Sequence, residues 1–218
     1  MVVWQSRHTL SQVRHVRFMI SIFLTLLSPL EVLADDGLCD EWLDVSAAGS
    51  AAHAELDELS GLAVSRSQAV LWAHNDHGDD ARLFAVSADG ADLGVFEVSD
   101  AAHEDWEDLA LGICPEAADR ALCACLYIAD IGDNDQVRDA AVIYRVPEPE
   151  AGVDGTTDPA TATWFTYPDG PRDAEALLVH PLTGETVVVS KGDGAADVYT
   201  FPESPPAAAS STAPVTLS

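Results

Sequence analysis

The chain has 218 residues, and 37 acidic side chains against 10 basic ones leave a formal charge of −27. A hydrophobic content of 48% is enough for a core and excludes wholesale disorder. So acidic a surface repels nucleic acid and anionic lipid, whose recognition needs Lys and Arg; the single lysine is Lys191. Cations are the partners such a chain favours.

Arg7, Arg14 and Arg17 precede an apolar run over residues 18–30, which is followed by Val32-Leu33-Ala34. A basic flank, a short apolar stretch and small residues before a cut predict a signal peptide over residues 1–34. The run contains Pro29 and is too short to span a bilayer, so no membrane insertion is expected after cleavage. The mature chain is expected to be secreted or periplasmic. Residues 35–57 read as an N-terminal segment able to supply a ring-closing strand. Export also makes the four cysteines readable, because an oxidising compartment allows Cys39, Cys114, Cys123 and Cys125 to pair. The spacing favours Cys114 with Cys123 or Cys125, across the loop over residues 115–122. No paired C-x-x-C points to zinc instead.

Short β-type runs then follow in groups of four. The first group is LSGLAV, AVLWAH, RLFAVS and DLGVFEV, between residues 59 and 98. The second is EDLALG, ACLYIAD, AVIYRV and ATWFTY, between residues 107 and 167. The third is EALLVH, ETVVVS and DVYTF, with VTLS at 215–218 as a candidate fourth. Turn residues separate the runs, and no long segment has helical periodicity. Gly, Thr and Pro mark residues 150–159 as a surface loop within the second group.

Successive four-stranded units predict an all-β chain, a β-propeller of about three blades over residues 58–218. Propellers close with four or more blades. The expectation is therefore an incomplete ring, the N-terminal part of a longer protein. In a blade, the start of the first strand and the end of the second share one face, near the central channel. Acidic residues stand at both places. Asp57-Glu58, Asp105-Trp106-Glu107 and Asp173-Ala174-Glu175 precede or open first strands. Asn75-Asp76, then Asp130 with Asp133-Asn134, and Lys191 with Asp193 follow second strands.

Converging carboxylates cannot all stay ionised without a counter-charge. The candidate ligands are Glu58, Asn75, Asp76, Glu107, Asp130, Asp133, Asn134 and Glu175. Carboxylate and amide oxygens in such number suit Ca²⁺, which takes six to eight oxygen donors; Mg²⁺ and Zn²⁺ are the alternatives. The loop over residues 130–135 is no EF-hand, since Gly132 falls at a ligand position and no helices flank it. G-x-S-x-G, Walker and G-x-G-x-x-G motifs are absent.

The strings ELSGLAVS, LWAHNDHGD, DWEDLALG, CLYIADIGDN, IYRVPEP and YPDGPRDAEALLVHPLTGE resemble a family of secreted bacterial propeller proteins, mostly without assigned activity. The likeness extends, more distantly, to calcium-dependent propellers of the gluconolactonase and paraoxonase type. It implies one Ca²⁺ in the central channel, with Glu58, Asn75, Glu107, Asn134 and Glu175 as ligands. The expected function is an exported calcium-binding propeller in a binding or scaffold role, with a small-molecule or protein ligand. The alternative is a metal-dependent hydrolase of a lactone, ester or phosphoester.

Overall fold

The computed structural model describes residues 47–115, 117, 123–192 and 194–218. The leader expected over residues 1–34, Cys39 and Asp193 lie outside them. The described residues form thirteen strands in three sheets, none closed on itself, and no helix.

In the first sheet β1 (Leu59–Val64), β2 (Leu71–Asn75), β3 (Arg82–Val86) and β4 (Asp92–Glu97) pair antiparallel in chain order. The middle sheet repeats that meander with β5 (Trp106–Ile113), β6 (Ala124–Asp130), β7 (Ala141–Pro147) and β9 (Thr161–Thr166). The third holds β10 (Ala174–Val179), β11 (Thr186–Ser190) and β12 (Val198–Thr200). The sequence quartets thus form as expected in the first two sheets. The loop over residues 150–159 departs from expectation, because β8 (Gly155–Thr156) adds to β4 in parallel. The candidate fourth strand of the third group also behaves differently. β13 (Val215–Thr216) pairs in parallel with β9 of the middle sheet, while Ser218 exchanges backbone bonds of 2.9 and 3.1 Å with Thr200. Burial explains this, since Leu217, 3% exposed, joins Phe165, Tyr199 and Phe201 in the core between those two sheets. Residues 47–57 contain no strand; Ala52 N donates to Gly90 O at 2.8 Å, and Leu56 packs with Phe84 and Val86.

The middle sheet is covered on both faces, which accounts for its nearly unbroken apolar strands. Alternation sorts its side chains between the two sides. Tyr127, Ala129 and Ile143 pack with Leu177, Val188 and Tyr199 of the third sheet. Leu126, Ile128, Val142 and Tyr144 pack with Trp72, Leu83 and Phe96 of the first. The first strands β1 and β10 both lie against β5. A disulfide joins Cys114 to Cys125, one of the two expected pairings, across the connection from β5 to β6; among the described residues Cys123 has no disulfide partner.

Each first strand carries an extra residue at its start. In β5, Trp106 pairs with Asp130 and Asp108 with Ala129, so Glu107 has no opposite residue. In β10 the same two-for-one register leaves Glu175 unpaired, between Ala174 opposite Ser190 and Ala176 opposite Val189. In β1, Leu59 faces Asn75 and Leu62 faces Ala73, again with one residue too many. Such bulges bend a strand and re-aim a side chain. Here they recur at one register position in all three sheets.

Candidate metal centre

The bulges set the geometry of the acidic face. Glu107 and Glu175 occupy equivalent bulge positions, and the residue two places earlier, Asp105 or Asp173, is held by a repeated backbone bond. The residue after each second strand donates it: Ile131 N to Asp105 O at 3.1 Å, and Lys191 N to Asp173 O at 2.8 Å. The first sheet has the same bond, Asp76 N to Glu58 O at 2.9 Å. Glu58 is therefore the counterpart of Asp105 and Asp173, while Ser60 is that of Glu107 and Glu175. Ser60 Oγ donates to the Glu107 carbonyl at 2.9 Å, tying β1 to β5. Asp108 accepts from Leu177 N at 2.7 Å and ties β5 to β10.

Five carboxylates meet at this end of the sheets. Asp76, Asp105 and Glu107 each present an oxygen within 4.8 Å of the others, and Glu107, Asp173 and Glu175 do the same. Glu107 is common to both trios. It is 9% exposed, and among the described residues none donates a hydrogen bond to its carboxylate. Burial first, then the charges of Glu175, Asp76, Asp105 and Asp173, push its pKa up to about 8. Asp105 is shifted upward too, chiefly by burial. Gly132 makes the close approach possible: a β-carbon there would stand 2.3 Å from both Asp105 Oδ2 and Glu107 Oε1.

Of the eight candidate ligands, the structure brings Asp76, Glu107 and Glu175 into this cluster. Asn75, 3% exposed, braces the backbone instead. Its Oδ1 accepts from Glu58 N at 3.2 Å, and its Nδ2 donates to Glu55 O at 2.6 Å and Asp79 Oδ2 at 2.8 Å. Asp130 is the matching brace in the middle sheet. It is 1% exposed, accepts from Glu104 N and Asp105 N at 3.1 Å each, and pairs with Arg138 Nη1 at 2.8 Å. Asp133 accepts from Val137 N and Arg138 N, closing its own loop. Glu58 and Asn134 are exposed, and Glu58 stands outside both trios. Asp105 and Asp173, absent from those eight, complete the two trios. Lining the strands up on Leu62, Leu109 and Leu177, rather than on the first glutamate of each unit, would have revealed them.

No imidazole or thiolate joins the carboxylates of the two trios. Buried His74 turns Nδ1 to Asn75 O at 2.7 Å and sets its ring edge-on to Trp106. His77 sits at the rim, with Nδ1 2.8 Å from Glu104 O and 3.5 Å from Asp105 Oδ1. A groove of about 420 Å³, lined by His77, Glu104, Asp105, Gly132 and Asn134 among others, runs beside the first trio. Among the described residues, no helix is long and apolar enough to cross a membrane. No family model, curated protein or solved structure matches the chain.

Proposed function

We propose that the protein is an exported β-propeller-type module that binds a divalent cation at the converging first strands, in a binding or scaffold role. The propeller reading is supported by three meandering sheets set side by side, with first strands in contact and a bulge repeated at one register. Export is supported by the leader pattern and by the disulfide. The observation that carries the cation reading is Glu107, a buried carboxylate without a donor, set among four others. Such a group needs a proton or a metal. Hard oxygen donors without imidazole or thiolate favour Ca²⁺ or Mg²⁺ over Zn²⁺, and the count of carboxylates favours Ca²⁺.

The ligands come together only on folding, so cation affinity becomes folding free energy. At a hundredfold excess over Kd the gain is about 2.7 kcal/mol. A melting series on chelator-treated protein should therefore show Tm rising with Ca²⁺, and the rise should disappear in Glu107→Gln but persist in Glu203→Gln, an exposed acid. If Ca²⁺, Mg²⁺ and Zn²⁺ all leave Tm unmoved, the reading is wrong. The groove beside Asp105 favours one second reading, a metal-dependent hydrolase of a lactone, ester or phosphoester. Cation-dependent turnover of such a substrate, lost in Glu107→Gln, is the outcome that would select it.

A further inference from the structure

Building on the cation site above, we infer that the acidic face is a two-cation centre. Glu107 bridges the two positions, and Lys191 occupies one of them as a built-in counter-ion that the second cation must displace.

The five carboxylates form two trios that share Glu107, not one group of five. A calcium ion holds its oxygens at about 2.3–2.6 Å, so oxygens on one ion lie no more than roughly 5 Å apart. Each trio meets that limit, with its oxygens within 4.8 Å of one another. Asp76 and Asp105 on one side and Asp173 and Glu175 on the other do not meet it together. A carboxylate has two oxygens, and Glu107 turns Oε1 toward the Asp105 side, as their common approach to Gly132 shows. Glu107 is also the buried, unpartnered member of both trios, so each half of the centre draws on a group that nothing else satisfies.

The two halves differ in what already balances them. Lys191 Nζ lies 2.5 Å from Glu175 Oε1 and 3.5 Å from Asp173 Oδ2. Its side chain is 57% exposed, so the ammonium can leave for water without disturbing the core. The Lys191 backbone stays fixed by its bond to Asp173 O. No lysine or arginine pairs with Asp76 or Asp105 among the described residues, where the nearest basic group is His77 at 3.5 Å from Asp105. One register position, the residue after each second strand, thus supplies a ligand in Asp76, an apolar filler in Ile131 and a counter-charge in Lys191. The first cation enters the Asp76–Asp105–Glu107 half, and the second enters the Glu107–Asp173–Glu175 half more weakly.

Calorimetric titration of the chelator-treated exported chain with CaCl₂, with native mass spectrometry for stoichiometry, tests this. The wild type should bind two ions in two resolved steps. Lys191→Met should strengthen the second step roughly tenfold, as expected for removing a competing charge. Glu175→Gln should remove the second step alone, and Glu107→Gln both. Circular dichroism checks that each variant is folded. One ion in both wild type and Lys191→Met would overturn the two-cation centre while leaving the single-cation reading intact. Two ions whose second step ignores both Lys191→Met and Glu175→Gln would overturn it as well, by placing that ion elsewhere. No binding at all would remove both readings.

Discussion

A carboxyl group at position 107 meets burial on one side and four other carboxylates on the other. Its pKa in the folded chain, about 8, lies above the ordinary 4.5. The protonated form therefore stabilises the cation-free fold fully below pH 4.5, and that contribution is lost as pH rises to about 8. Asp76, Asp105, Asp173, Glu175, His77 and Lys191 surround the same point. The comparison that isolates Glu107 is with Glu107→Gln, whose amide cannot ionise. In EDTA, wild type should lose more Tm than the variant between about pH 5 and 8; parallel curves would mean that Glu107 is not the group responsible. At this scale the sequence showed acids at strand ends and a cation as their remedy. It did not show Gly132 as part of the site, because a missing side chain leaves no chemical mark. Only the two carboxylates standing 2.3 Å from where a β-carbon would sit give it a role.

The elements decide which acids become ligands and which become braces. A strand's side-chain period is two, so one inserted residue sends everything before it to a new direction. The bulges at Glu107 and Glu175 do this, and no composition rule announces them. Counting glutamates in register aligned Glu58 with Glu107, whereas hydrogen bonding aligns Glu58 with Asp105 and Asp173. Asn75 and Asp130 were legible as polar residues at the ends of second strands, but a buried polar group there is as useful to the backbone as to an ion. The two roles separate by experiment. Asp130→Ala strands two backbone N–H groups and takes from Arg138 its buried carboxylate, leaving that guanidinium Gly132 O and exposed Glu104, and breaking such a buried pair costs about 3–5 kcal/mol. Glu175 is partly exposed, and among the described residues its ion pair is with exposed Lys191, so Glu175→Gln should cost less than about 1 kcal/mol. Urea unfolding in EDTA should therefore rank Asp130→Ala far below Glu175→Gln. Equal losses would return Asp130 to the list of ligand candidates.

Across the whole molecule, long strands were readable and short ones were not. ACLYIAD matches β6 because both of its faces are buried and the apolar run has no interruption. β8 and β13 are two residues each, too short for a period, and their parallel pairing depends on which outer edge they reach. The same scale governs what a cation would do here. Asp76 belongs to the first sheet, Asp105 and Glu107 to the second, and Asp173 and Glu175 to the third, so occupation ties all three at one end. Apolar packing already joins neighbouring sheets along their faces. A cation would add a link at the ends of the sheets, beside the residues that follow the second strands. Protection against local opening should rise there first. Hydrogen exchange with and without Ca²⁺ should slow the amides of Asp76, Ile131 and Lys191, which donate the three repeated bonds to Glu58, Asp105 and Asp173. Slowing should appear in all three sheets together, and Glu107→Gln should abolish it in all three. Protection confined to one sheet would show that the cation sits on a single loop and leaves the sheets to be held by packing alone.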